Sequence, residues 1–120
     1  MRWNGFWYQG ESNSYVPEAK IYGEMLKTLI LSWREKFLDK DLPFIVIVIC
    51  DIDGQGDGFT AIQEAQRRFS GALDNVSVIE SSDVCEHSTI HPNDKRALSM
   101  RIADEICRTR IVCINQKKWK

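Results

Sequence analysis

Seven consecutive apolar residues, Phe44-Ile45-Val46-Ile47-Val48-Ile49-Cys50, constrain this chain more than any other feature. No polar residue alternates within the run, so a strand made from it has no face to give to water and must be covered on both sides. A parallel sheet with helices on either face meets that requirement. The run is therefore expected to be a central strand.

The flanking segments supply the layers. Residues 5–9 read as a first strand, and Tyr15-Val16-Pro17-Glu18 opens a helix, proline being tolerated in a first turn because its missing donor has no partner there. Tyr22, Met25, Leu26, Leu29, Trp33 and Phe37 recur at three- and four-residue intervals and predict the stripe that packs on the sheet, with Asp39 to Pro43 ending the helix. After the central strand, Asp51 to Gly58 is a loop with three glycines, and Phe59, Ile62, Ala65, Phe69 and Leu73 restore helical spacing until Asp74-Asn75 breaks it. Val76 to Glu80 predicts a third strand, Ser81 to Ile90 a polar loop, and Pro92-Asn93-Asp94 the start of a last helix burying Leu98, Ile102, Ala103 and Ile106. Arg110 to Ile114 is read as a short terminal strand. Strands alternating with helices of this length predict parallel pairing through right-handed crossovers.

A chain of 120 residues, 43% hydrophobic, holds one small domain. Net charge of -1 with both signs interspersed argues against nucleic acid or a membrane surface as a partner. The basic tail, Lys117, Lys118 and Lys120, reads as a solvated end. No apolar stretch approaches the roughly 20 residues of a membrane span, and the segment from Met1 to Gly5 does not read as a secretory signal. Cys50, Cys85, Cys107 and Cys113 form no Cys-x-x-Cys pair and have no His at metal-ligand spacing, so no structural zinc site is expected. Cys50 and Cys85 both fall near the carboxyl edge of the expected sheet, where a disulfide in an oxidising compartment is one alternative.

Trp7-Tyr8-Gln9-Gly10-Glu11-Ser12-Asn13 closes the first strand, and four further blocks follow it. They are Ser32-Trp33-Arg34, Asp41-Leu42-Pro43-Phe44-Ile45, Glu64-Ala65-Gln66 and Ile90-His91-Pro92-Asn93-Asp94-Lys95. Together, in register across nearly the whole chain, they resemble the successive landmarks of the sialate O-acetylesterase family, a branch of the SGNH hydrolases and related carbohydrate esterases. That resemblance implies a three-layer α/β/α domain with a parallel, flavodoxin-like sheet, of which residues 1–120 form a part lacking the first strands. It also implies an acetylated carbohydrate as substrate, sialic acid or xylan being usual, and acyl transfer with neither metal nor cofactor.

By the same resemblance, His91 is the general base that takes the nucleophile's proton and returns one to the leaving alcohol. Gln9 matches the family's glutamine, whose amide can aim an N–H at the developing oxyanion. Glu11 and Asn13 are expected against the substrate, although a carboxylate near a helix N-terminus has a structural use as well. The histidine needs an acceptor on its other ring nitrogen. Many SGNH enzymes place an Asp three residues earlier, where this chain has Ser88. Asp83 is taken as the acid, with Glu86 or a backbone carbonyl as alternatives. His87, outside the motif, reads as a surface residue.

Two blocks of the family are missing: the one with the nucleophile, and a second, with another oxyanion donor, that lies between it and Trp7-Tyr8-Gln9-Gly10-Glu11. No strand leading to Gly-Gln-Ser-Asn, which carries the nucleophilic serine, occurs in these residues, and Ser12, Ser32, Ser70, Ser81 and Ser88 fall at other positions. Cys50 is the one thiol placed where it could substitute, and a core role suits it better. The chain is thus expected to be the second half of an esterase domain, inactive alone. An alternative is a non-catalytic carbohydrate-binding or oligomerisation module. In either case the first strand is an apolar edge open to a second copy or to a complementing N-terminal half.

Overall fold

The computed structural model describes residues 4–117, and side chains except those of Val16 and residues 110–117. Three strands, β1 (Gly5–Trp7), β2 (Phe44–Ile47) and β3 (Val76–Ile79), form a parallel sheet in the order β1-β2-β3. Gly5 pairs with Phe44 and Phe44 with Val76, which places the apolar run at the centre. Helices α1 (Val16–Lys36) and α2 (Asp57–Arg67) form the two crossovers, and α3 (Arg96–Lys117) follows β3.

The layers follow from the pleat. Phe44 and Val46 point to one face and Ile45 and Ile47 to the other, as a period of two requires. The first face packs against Ala19, Tyr22, Leu26 and Ile30 of α1 and Phe59, Ile62 and Ala65 of α2. Two crossovers of one hand, stepping the same way across the sheet, belong on one face, and α1 and α2 share this cluster. The second face packs with Ile79 and with Leu98, Ile102 and Ile106 of α3. Every residue from Phe44 to Cys50 is buried. At about 1.5–3 kcal/mol for each large apolar side chain removed from water, this segment anchors the fold. The expected three-layer α/β/α arrangement is present.

Three expectations need correction. Ala103, expected on the buried side of the last helix, is exposed. The buried stripe of α1 runs through Ala19, Tyr22, Leu26, Ile30 and Arg34, while Met25, Trp33 and Phe37 are 45%, 38% and 53% exposed. Arg34 is drawn inside because two loop carbonyls wait for it. Its Nε donates to Leu42 O at 3.1 Å and its Nη2 to Asp74 O at 2.7 Å. Residues 110–114 do not form a strand but continue α3. No Gly or Pro interrupts Arg96–Lys117, and a β-branched residue costs a helix only about 0.5 kcal/mol.

Ends differ by a few residues. α1 stops at Lys36 with Leu38 in the left-handed region (φ 52°), and Asp39 N bonds back to Arg34 O at 3.0 Å, closing the last turn. α3 starts at Arg96, two residues after Asp94, whose Oδ1 accepts from Arg96 N at 2.9 Å. Lys118 and Lys120 of the basic tail lie outside the described residues. Among the described residues no helix is long and apolar enough to cross a membrane.

Candidate active site

Because the three strands run parallel, the loops that follow them emerge at one edge of the sheet, where open α/β sheets keep their sites. Residues 8–15 leave β1, residues 48–56 leave β2 and residues 80–95 leave β3. Gln9 belongs to the first of these loops and His91 to the last.

The Gln9 loop is fixed from the core. Tyr22 O–H donates to the Gln9 backbone carbonyl at 2.7 Å, and Gln66 Nε2 donates to the same oxygen at 2.8 Å. Trp7 Nε1 and Gln66 Nε2 in turn donate to the Tyr22 oxygen at 3.0 and 3.1 Å. Burial raises the Tyr22 pKa, an effect that the hydrogen bonds from Trp7 and Gln66 oppose, so the phenol keeps its proton for Gln9. Gly10 follows at φ 151°, and a Cβ there would stand 2.7 Å from Ile62 Cγ2 and 3.1 Å from Gln66 Nε2. Only glycine lets the chain pass so close to the clamp.

The side chain of Gln9 is held as well. Its Nε2 donates to Asn13 Oδ1 at 2.6 Å, and Asn13 Nδ2 donates to Glu18 Oε2 at 3.3 Å. An amide nitrogen carries two hydrogens, so this bond orients Gln9 and leaves the second N–H for another acceptor. Glu11 opens a 3₁₀ turn (Glu11–Asn13). Burial raises the Tyr8 pKa as it does that of Tyr22, and the charge of Glu11 adds to both in a minor way. A recess of about 140 Å³ beside Gln9 and Asn13 is lined by Trp7, Tyr22, Met25, Leu26 and Leu29.

The clamp extends to β2 through residues that the sequence reading did not single out for a site. Ile49 N donates to Gln66 Oε1 at 2.9 Å, and Gln63 Nε2 donates to Ile49 O at 3.0 Å and to Asp51 Oδ1 at 2.8 Å. Gln63 and Gln66 thus satisfy both sides of Ile49 where β2 leaves the sheet. Both are buried. The signal for them was present: they occupy helix positions one step from Ile62 and Ala65, on the face that otherwise reads as apolar. The hydrogen bond from Gln63 lowers the Asp51 pKa and keeps this carboxylate ionised.

The His91 loop is held at its base. A Cys50–Cys85 disulfide, with Cα atoms 6.6 Å apart, ties it to the end of β2 and takes Cys50 out of consideration as a nucleophile. Asp53 N donates to His87 O at 2.8 Å, the His87 ring bonds Ser82 O through Nε2 at 2.8 Å, and Asn93 N donates to Glu86 Oε1 at 2.7 Å. His91 itself is exposed, beside a buried Pro92, and its backbone N–H donates to Thr89 Oγ1 at 3.1 Å. Among the described residues no hydrogen bond reaches its ring.

Asp83 is paired with α3. Its two oxygens accept from Arg101 of α3 at 2.9 Å each, and this pairing lowers its pKa. Arg101 also donates to Glu80 O at 2.7 Å, so the pair secures the start of the loop to α3. Gln9 and Asn13 are therefore brought together, whereas Asp83 and His91 are not joined by any hydrogen bond among the described residues.

The geometry can be set beside known proteins. A family model described as SASA, carbohydrate esterase, sialic acid-specific acetylesterase, matches residues 5–108. The chain is similar in structure to a carbohydrate acetylesterase from Xanthomonas citri, with a TM-score of 0.77 and 30% identity over 83% of this chain. It spans only 24% of that protein. A search of curated proteins returns no match.

Proposed function

Since the chain belongs to the carbohydrate esterase, sialic acid-specific acetylesterase family over residues 5–108, we propose that it supplies one side of an acyl-transfer site that removes acetyl groups from sugars, sialic acid or xylan. In this reading the serine lies outside these 120 residues. Its hydroxyl attacks the acetyl carbonyl while His91 takes the proton, and His91 returns that proton to the departing sugar oxygen. Water then attacks the acyl-serine, giving up a proton to His91, and acetate leaves with the serine hydroxyl restored. The free N–H of Gln9 points to the oxyanion, Glu11 and Asn13 border the substrate, and no metal or cofactor takes part.

The observation that carries this reading is the double anchoring of Gln9, by its carbonyl to Tyr22 and Gln66 and by its amide to Asn13. A residue meant to stabilise a transient charge must be oriented before the charge appears. Asp83 receives a bracing role here, because both of its oxygens are engaged by Arg101. The test is hydrolysis of p-nitrophenyl acetate by the purified chain. Background rates are expected. Enzyme-like turnover that disappears in His91→Ala would overturn the assignment of the serine to another segment.

A second reading, a non-catalytic carbohydrate-binding or oligomerisation module, draws on the edge of the sheet. β1 pairs with β2 alone among the described residues, and Phe6, Ile21 and Met25 are 46%, 52% and 45% exposed. Such an edge invites a further strand from a second copy or from a complementing N-terminal half. Sedimentation distinguishes them: a sharp monomer that gains mass only with the N-terminal half supports complementation, and self-association supports the module.

A further inference from the structure

Sequence spacing gave no hint of a metal site, yet the fold collects one set of soft ligands. The Sγ atoms of Cys50 and Cys85 and a ring nitrogen of His87 all lie within 4.8 Å of one another, although the cysteines are 35 residues apart in sequence. We propose that, once the disulfide is reduced, Cys50, Cys85 and His87 bind a borderline-soft divalent cation of the zinc class, so that the His91 loop is fastened to β2 either by a disulfide or by a metal.

Ligand chemistry supports this assignment. Zinc takes thiolate at about 2.3 Å and imidazole at about 2.0–2.1 Å in a tetrahedron, which puts neighbouring ligand atoms about 3.4–3.8 Å apart. Opening the disulfide moves the sulfurs toward that spacing within a cluster that is already compact. His87 is prepared as metal-bound histidines usually are, with one ring nitrogen on a backbone carbonyl. Its Nε2 must carry the proton to donate to Ser82 O at 2.8 Å, which leaves the lone pair on Nδ1. Asp53 N donates to the His87 carbonyl at 2.8 Å. Cys50 is buried, Cys85 half-buried and His87 exposed, so a cation enters from the His87 side and solvent completes its coordination.

The redox step balances with an external thiol or phosphine. Two electrons and two protons convert the disulfide to two thiols: a thiol reductant supplies both and leaves as its disulfide, whereas a phosphine supplies the electrons, water supplies the oxygen and the protons, and phosphine oxide leaves. The cation then displaces both thiol protons. Reoxidation by a disulfide reagent releases the metal and restores the bridge.

The experiment is a Cd²⁺ titration, followed by thiolate-to-cadmium ultraviolet absorption, in a Cys107→Ser, Cys113→Ser background after phosphine reduction and desalting without oxygen. One saturable equivalent is expected in the reduced protein, with no band in the oxidised protein or in Cys85→Ser. His87→Ala should weaken binding about tenfold or more. The same point is read without that substitution from the His87 ring resonances, which should move as Cd²⁺ is added. Absence of a saturable band in the reduced protein, unchanged affinity in His87→Ala, or a His87 ring indifferent to Cd²⁺ would each overturn the proposal.

Discussion

Gln9 and His91 leave the same edge of one sheet but are held in different ways. The Gln9 carbonyl is gripped by Tyr22 and Gln66, both inside the core, and Gly10 passes against Ile62 with no room for a side chain. His91 hangs from an exposed loop whose fastenings lie at its base, in the Cys50–Cys85 bridge, the bond from Asp53 to His87 and the pairing of Asp83 with Arg101. The first position is set by packing, so it is as rigid as the fold itself. The second is set by a few tethers that can be cut one at a time. A donor for an oxyanion has to be preorganised, and a histidine base needs an orienting acceptor on its other ring nitrogen as well, yet no hydrogen bond reaches the His91 ring among the described residues.

The sharpest way to break this contrast is to cut one support on each side. Gln66→Ala should cost about 3 kcal/mol in urea unfolding, because it leaves a cavity and strands the buried Ile49 N–H, and it should loosen the whole molecule. Cys85→Ser should cost a comparable amount, about 2–4 kcal/mol. Its signature differs: amides of residues 85–95 should exchange faster while those of residues 8–13 keep their protection. Equal loosening of both loops in Cys85→Ser, or loosening confined to residues 8–13 in Gln66→Ala, would contradict the comparison.

A smaller effect concerns the junction between the two supports. The Asp51 pKa lies below its usual value because Gln63 donates to the carboxylate. Such a group stabilises the fold fully above its unfolded pKa, about 3.9, and loses that contribution as pH falls through the folded value. Wild type should therefore exceed Asp51→Asn by less than about 1 kcal/mol near neutrality, a figure reduced by partial exposure. The gap should close below about pH 4. A gap that widens in acid would show the sign to be wrong.

The smallest expected effect is that of Asp83→Asn on His91. With both Asp83 oxygens on Arg101, the ring resonances of His91 at a fixed pH, followed by proton NMR, should stay where they are. A clear change in them would mean that Asp83 faces the ring in solution and is the acid of a triad.

Much of the architecture was legible because it depends on local pattern. The unbroken run from Phe44 to Cys50 announced a strand covered on both faces, and the alternation of elements announced its parallel neighbours. The rotation of α1 was not legible, since Arg34 is buried only where Leu42 and Asp74 present carbonyls from loops far along the chain. The site shows the same division. Gln9 and His91 are proposed from short motifs, whereas the hydrogen bonds of Gln63 and Gln66 become visible only once Ile49 and Gln9 are seen beside them. The Cys50–Cys85 bridge was one option in the sequence, and proximity across 35 residues made it the structure's choice.

The central claim is that Gln9 and His91 form one side of an acetylesterase site completed by a serine from another segment. It is tested most directly by mixing this chain with a separately produced N-terminal part of a sialic acid-specific acetylesterase, one that ends before the first strand, and measuring acetate release from O-acetylated sialic acid and acetylated xylan. The account predicts release only from the mixture, with its loss in His91→Ala and a drop of about 10²- to 10³-fold in Gln9→Ala. Release that is unchanged in His91→Ala, or none from a mixture shown by sedimentation to have assembled, would contradict it.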